Sequence, residues 1–437
     1  MREKATDKSR RSVSSFMHHP FSLRLLGLVA IIGLALAMLS SGRIAVSRIL
    51  VKYGETYVDS AAVESAIGMT PKDAEAHFVR GALSNYLDEP AAALPELELA
   101  VSLRPRDYSI WMELGMTRDQ LGDPAGALFC LSEAVRLAPY YARPRWQRGN
   151  VLFRSRRYDE AFADFRQVVT SDPDFLPSFL DLAWGAARND PKVTEQIVQV
   201  QGSKATFILA LFFTKHGKAD EAIALLRSVA AIPPENRREM VRELLAAGAL
   251  SQAFELWSGS PGPTHPGRGK VSDGGFEGVL NLDEVGFGWR LARTAPGVSF
   301  SLDTTQAQTG ARSLRIDFAG NTNPGAPLLS QLILLEPEAP AAHYKVNFWA
   351  RTKDIVTGGL PVITVTALGA VNGQGLLGSS RPLPANTGGW QAFSVEFTTN
   401  AAMQAITIGL QREDCTSSPC PIFGLLNLDG FSLERVK

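Results

Sequence analysis

A 34-residue step runs through this chain: Pro71, Pro105, Pro139 and Pro173 each stand 34 residues after the last. Gly81, Gly115 and Gly149 keep the same step, as do Ala93, Ala127 and Ala161. Such a period, with small residues at fixed phases, confines the fold to stacked helix–turn–helix pairs, because each unit buries its apolar face only against its neighbours. The glycine and alanine belong where the two helices of a pair approach most closely. The proline follows the second helix, since it lacks the N–H that would continue the ladder.

The apolar positions agree with this frame. Trp111, Leu114, Gly115, Ala127, Leu131, Ala134 and Pro139 fill the places of one repeat. Gly81, Ala93, Leu97, Ala100 and Pro105 fill those of the repeat before it, and Gly149, Tyr158, Ala161, Phe165 and Pro173 those of the repeat after. Over residues 74–173 the chain resembles the tetratricopeptide repeat family. Beyond them the register loosens. Residues 176–200 read as a shortened repeat, a further unit starts near Ser203 with Ala222, Leu226 and Pro234 in phase, and residues 237–257 read as a last helix pair or cap. The resemblance implies an all-α solenoid over residues 73–257 whose first helices line a groove for protein partners. In phase, that face carries Phe78, Ala82 and Asn85, then Met112, Met116 and Asp119, then Trp146, Asn150 and Phe153, then Trp184. Methionine and aromatic side chains suit an adaptable peptide contact. Packing under the next repeat is the alternative use of the same residues.

The N-terminus sets the compartment. Leu25 to Gly42 is an uncharged run of 18 residues between Arg24 and Arg43. As a helix it spans roughly 27 Å, enough to cross a bilayer core. Arg2, Lys4, Lys8, Arg10, Arg11 and Arg24 precede it, and Arg43, Arg48 and Lys52 follow. The heavier positive side stays in the cytoplasm. The reading is a cytoplasmic tail over residues 1–24, a transmembrane signal anchor over 25–42 and a juxtamembrane helical segment over 43–72. It places the protein in a bacterial inner membrane, single-pass, with its bulk in the periplasm. A signal peptide cleaved after Ala37 is the competing reading, and it puts the same bulk outside the membrane.

Residues 258–275, SGSPGPTHPGRGKVSDGG, read as a Gly/Pro linker. After it the hydrophobic period changes to two. Leu314, Ile316 and Phe318 alternate with polar residues, as do Tyr344, Val346, Phe348 and Ala350, then Phe393, Val395 and Phe397, then Ile406, Ile408 and Leu410. Short alternating runs between turn residues make residues 276–437 an all-β sandwich. The fold class is therefore multidomain: a transmembrane helix, an all-α solenoid, then an all-β sandwich.

Four stretches of the β region carry a resemblance. They are Gly274–Glu277 with Gly288–Trp289; Gly310–Ile316; Tyr344–Arg351; and Gly389–Phe397 leading to Leu428–Leu433. In this order they resemble the jelly-roll carbohydrate-binding modules of secreted glycoside hydrolases. The resemblance implies a jelly roll and a polysaccharide ligand. It implies bracing roles for Trp289 and Trp390, and a structural calcium held by Glu277 and Asp429 with Asp303 adding an oxygen. By alternation, Trp349 faces away from the core together with Lys345, Asn347 and Arg351. A large aromatic among polar groups suits stacking on a sugar ring.

Cys415 and Cys420 close a short loop and pair in an oxidising compartment, while Cys130 lies on a repeat helix as a small apolar group. Gly373-Gln374-Gly375-Leu376-Leu377-Gly378 spells a dinucleotide fingerprint, but no strand–turn–helix context surrounds it. The formal net charge is zero, which gives no argument for nucleic acid as a partner. No catalytic constellation stands out. The expected role is a non-enzymatic adaptor in surface polysaccharide biogenesis or export, with protein partners, the membrane and polysaccharide as its contacts. A membrane-tethered polysaccharide-cleaving enzyme and a protein-assembly factor that binds no sugar are the alternatives.

Overall fold

The computed structural model describes residues 20–229, 231–259, 266–292, 295–321, 325–336, 342–368, 375–415 and 419–436. The tail read over residues 1–24 lies outside them up to residue 19, as do linker residues 260–265 and Gly373-Gln374 of the glycine-rich motif. The chain divides into two compact units, residues 1–179 and 180–437.

The first unit is helical. It contains α1 (Pro20–Tyr57), α2 (Ser60–Met69), α3 (Ala74–Tyr86), α4 (Pro90–Leu103), α5 (Tyr108–Gln120), α6 (Pro124–Leu137), α7 (Ala142–Arg154) and α8 (Tyr158–Ser171). Each period-setting proline follows the residue that caps a second helix, for example Arg104 before Pro105 and Ala138 before Pro139. Asp73 and Asp107, also one period apart, cap α3 and α5 through Glu75 and Ser109 amides. The glycines mark the tightest approach. A Cβ on Gly81 would stand 2.6 Å from Leu97 Cγ, on Gly115 2.7 Å from Leu131 Cγ, and on Gly149 2.6 Å from Phe165 Cε1. Any larger residue must push the paired helix away.

α1 departs from the sequence expectation. It runs unbroken for 38 residues, and its C-terminal half pairs with α2 instead of forming a separate juxtamembrane piece. Val51 of α1 is buried with Val63 and Ala66 of α2 and with Ala76, Val79 and Leu83 of α3. Ser47 is fully buried and its Oγ bonds the Ala66 carbonyl at 3.1 Å. Hence the solenoid's first helix is the continuation of the apolar segment. The apolar part of α1 has a mean hydropathy of 2.2 with none of it buried, so it is long and apolar enough to cross a membrane; a signal sequence meets the same description.

α9 (Leu176–Ala186) straddles the division between the units. In the second unit follow α10 (Pro191–Val198), α11 (Ser203–Lys215), α12 (Ala219–Arg227), α13 (Pro234–Ala246) and α14 (Leu250–Ser258). Residues 176–200, which lacked a clear second half in sequence, hold two helices, with α10 only 8 residues long.

Among the described residues, ten strands then build two antiparallel sheets: β1 (Arg290–Leu291), β2 (Val298–Asp303), β3 (Ser313–Asn321), β4 (Leu329–Leu334), β5 (His343–Thr357), β6 (Pro361–Ala367), β7 (Leu376–Ser379), β8 (Gln391–Thr398), β9 (Ala405–Arg412) and β10 (Pro421–Val436). One sheet has the order β1-β4-β9-β6-β7 and the other β2-β3-β10-β5-β8. The alternating apolar residues named from sequence meet between them. Leu314, Ile316, Val346, Phe348, Val395, Ile406 and Ile408 are all buried in one cluster. β7 occupies the end of the glycine-rich motif, so a strand stands where a dinucleotide site requires a helix.

The second half of the expected linker belongs to this sandwich. Gly269 donates its N–H to Leu334 O at 2.8 Å, and the Ser272 amide and carbonyl bond the fully buried Gln331 amide at 3.0 and 2.8 Å. The preceding helices are also packed against it. Trp257 of α14 lies 5.6 Å from the Phe287 ring and donates its indole N–H to Glu284 at 3.1 Å, while Phe254 meets Phe287 edge-on at 5.0 Å.

Candidate functional site

Two surfaces carry the residues singled out from sequence. On the solenoid, the expected groove residues divide by role. Met112 is only 8 % exposed and packs with Ala127, Leu131, Ala134 and Val151, with Met116 half-buried against the same cluster. Phe78 packs against the clusters on both sides of it. Trp146 lies 4.8 Å from the Phe165 ring and 4.9 Å from Phe175, and Phe153 meets Tyr158 at 5.2 Å. In the second unit Trp184 is buried against Phe212, Phe213 and His216. These large side chains therefore join helices to one another. The helical phase was legible, but phase alone cannot say how far a neighbouring helix covers a position. The polar members of the same face are half-buried. Asn85 donates to Glu113 and Thr117 of the next repeat, both at 2.8 Å. Asp119 pairs with Arg154. Asn150 is half-buried, and its side chain makes no hydrogen bond among the described residues.

On the sandwich, Trp349 sits in β5 on the outer face of its sheet, opposite Asp429 of β10 and Ala392 of β8. It is half-buried, and its indole N–H has no partner among the described residues. β10 carries an irregularity between Asp429 and Ser432, opposite Asn347–Trp349. Bulges of this kind re-aim side chains. Gly430 adopts φ +65° there, and a Cβ on it would stand 2.9 Å from Trp349 Cδ1, so only glycine lets the indole lie against this strand. Asn347 and Arg351 flank the ring without side-chain partners among the described residues, whereas Lys345 pairs with Glu396 at 3.1 Å. Lys345 holds the Glu396 carboxyl below the ordinary carboxylate range, first by their hydrogen bond and then by its charge.

The loop between β2 and β3 walls this surface, and the three acidic residues expected at calcium hold it. Asp429 is fully buried; one carboxylate oxygen accepts the Gln308 and Thr309 amides at 2.7 and 2.8 Å, and the other accepts the Thr309 hydroxyl at 2.9 Å. Glu277 accepts the Ala311 and Arg312 amides at 2.7 and 3.0 Å. Asp303 accepts the Thr305 amide and hydroxyl and the Gln306 amide on one oxygen, and Asn427 on the other. Among the described residues, no group of three acidic, His or Cys side chains is placed to hold a metal. In this structure the three carboxylates expected at calcium serve as hydrogen-bond acceptors: Asp429 and Glu277 Oε1 bind the β2–β3 loop, and Asp303 binds that loop and Asn427. Asn427, which links Asp303 to Ser313, was missed; its signal is a polar side chain inside an otherwise apolar strand.

Asp303 makes the loop acid-sensitive. Burial raises its carboxyl pKa, but the bonds from Thr305, Asn427 and Gln306 outweigh burial and leave it below its ordinary value of 3.8. A depressed carboxylate contributes stability that is complete above its unfolded pKa and disappears as pH falls through the folded value. The melting temperature of the sandwich should therefore fall more steeply below about pH 4 in the wild-type chain than in Asp303→Asn. Parallel curves for the two proteins would refute this role.

Cys415 and Cys420 are disulfide-bonded, with Cα atoms 6.1 Å apart. They close over Arg412, which is buried and bonds the Cys420 carbonyl at 3.0 Å and the Thr357 hydroxyl at 2.5 Å. Cys130 is free and buried, and burial raises its thiol pKa. Trp289 braces the sandwich, stacked on Phe276 at 5.2 Å and meeting Phe431 at 5.0 Å.

Comparison with known proteins places the helical part. The sequence model of the tetratricopeptide repeat family matches residues 113–174. Over that stretch the chain is similar to tetratricopeptide repeats. Among solved structures, a MamA crystal structure matches at 16% identity, covering 34% of this chain and 90% of that one, with a TM-score of 0.32. YrrB, described as a tetratricopeptide repeat protein with an unusual peptide-binding site, matches at 22% identity over 40% and 90%, with a TM-score of 0.31. MamA from Desulfovibrio magneticus RS-1 matches at 17% over 44% and 97%, with a TM-score of 0.32. No curated protein matches the sequence.

Proposed function

We propose that this chain is a membrane-anchored, non-enzymatic scaffold of the bacterial inner membrane. In this reading α1 crosses the bilayer once with its N-terminus in the cytoplasm. The repeats hold a protein partner in the periplasm, and the outer face around Trp349 meets a glycan during surface polysaccharide biogenesis or export. The observation that carries the scaffold reading is the repeat architecture itself, with matched family residues 113–174 inside it. The glycan reading is supported by a half-buried indole flanked by Asn347 and Arg351, polar groups that no other described side chain engages. An aromatic face with such neighbours supplies both the apolar platform and the hydroxyl partners a pyranose requires.

Two surface variants of the full-length chain test the two halves separately. Asn150→Arg should abolish crosslinking to a protein partner in intact membranes while leaving the helical circular dichroism unchanged. Trp146→Ala is the wrong probe, because its ring packs between helices. Trp349→Ala should weaken retardation in polysaccharide-containing native gels by roughly tenfold in apparent affinity. Unchanged retardation would leave the assembly-factor reading. Release of reducing ends from the polysaccharide would favour the enzyme reading.

A further inference from the structure

We infer that the point where α1 leaves the apolar run is a binding site for the phosphodiester of an anionic phospholipid. The inference rests on the reading of α1 as a retained membrane span. A cleft of about 960 Å³ lies between one face of α1 and the turn joining α2 to α3. Leu36, Leu39, Ser40, Arg43, Ile44 and Arg48 line it from the helix. These positions recur at three- and four-residue steps, so they form one stripe along the helix. Met69 to Asp73 close the other side.

The stripe is graded along the helix axis. Leu36 and Leu39 lie within the uncharged run, while Arg43 is the first charge after it. Leu36 and Arg43 are seven residues apart, roughly 10 Å along a helix, which is the depth from upper acyl chain to phosphate. The charge is also uncompensated. Arg43 donates to the Met69 carbonyl at 2.8 Å, a neutral acceptor that orients the guanidinium without cancelling its charge. Lys72 is exposed and makes no ion pair among the described residues. Arg48 is bridged to Asp73 at 2.8 Å, and Asp73 also lies 3.8 Å from Arg104 and caps α3 through the Glu75 amide. Arg43 and Lys72 thus stand over an apolar wall without an ion pair among the described residues, at the height where a membrane presents phosphate. Cations at that position attract anionic headgroups. The continuity of α1 into the buried repeat core keeps this geometry fixed relative to the bilayer.

The test uses the full-length protein in nanodiscs made of equal phosphatidylglycerol and phosphatidylcholine, released into the gas phase for native mass spectrometry. The wild-type chain should retain one phosphatidylglycerol on the order of tenfold more often than phosphatidylcholine. Arg43→Gln/Lys72→Gln should lose that preference. Lys72→Gln alone, which touches no bond that holds the fold, should lose part of it. Equal retention of both lipids by full-length wild-type protein overturns the lipid site alone. So does displacement of the lipid by millimolar inorganic phosphate in detergent, which would make this a soluble-anion site. An intact mass lacking residues 1–37 overturns the anchor reading, and the lipid site with it.

Discussion

Replacing Asp429 by Ala lowers the melting temperature of the sandwich by on the order of 10 °C. The carboxylate is fully buried and accepts three hydrogen bonds from Gln308 and Thr309. Removing it deletes three hydrogen bonds to a charged group that tie the loop to β10, at about 1.5–3 kcal/mol each. Domains of this size lose about 2–4 °C per kcal/mol. Asp429→Asn retains an acceptor oxygen for the two amides and should lose less than half as much. Calcium and chelator should give superimposable melting curves for the wild-type chain, because Asp429, Glu277 Oε1 and Asp303 already accept hydrogen bonds within the protein. A calcium-dependent rise that vanishes in Asp429→Ala would overturn this assignment. The variant should also weaken any glycan binding, since the loop it releases lies beside Trp349: a Cβ on Gly430 would stand 3.7 Å from Thr309 Cγ2 and 2.9 Å from Trp349 Cδ1.

Trp257→Ala should uncouple the C-terminal helix pair from the sandwich. The Trp257 ring is 8 % exposed and lies 5.6 Å from Phe287 and 5.9 Å from Phe254. Truncating a buried tryptophan costs about 3–5 kcal/mol, comparable to the whole stability of a small subdomain. In scanning calorimetry, the transition that α13, α14 and the sandwich share should split, with the helical part melting first. Gly286→Val should act in the same direction for the opposite reason. Even a Cβ at Gly286 falls inside the van der Waals contact of the Trp257 indole, so the larger residue forces the helix off its seat. If both variants melt as the wild type does, the contact between α14 and the Phe287 loop contributes nothing to folding.

Much of the architecture was written in local pattern. The 34-residue spacing of Pro, Gly and Ala marked the repeats because helix–helix approach and helix termination depend on single residues at fixed steps. Period-two alternation picked out β3, β5, β8 and β9 and the residues they bury, since side chains on a strand alternate between faces whatever the strand pairs with. Trp349 was legible as an outward-facing residue for the same reason. The pairing of Cys415 with Cys420 follows from proximity along the chain.

Other features were decided only in three dimensions. Whether Met112 and Trp146 face a groove or a neighbouring helix depends on how closely successive repeats stack, which no single helix encodes. Asp429 and the amides it binds are 120 residues or more apart, so the fate of that carboxylate depends on which loop the sheet topology delivers to it. The Gly/Pro stretch before the sandwich looked like a tether because glycine and proline disfavour helix. Its second half is held by Gln331, a strand residue 59 positions from Ser272. Composition sets what a segment cannot form alone, and long-range contacts set where it ends up. That is why α1, apolar at its start and amphipathic at its end, reads in sequence as an anchor followed by a spacer, yet folds as one helix that carries the apolar segment directly into the repeat core.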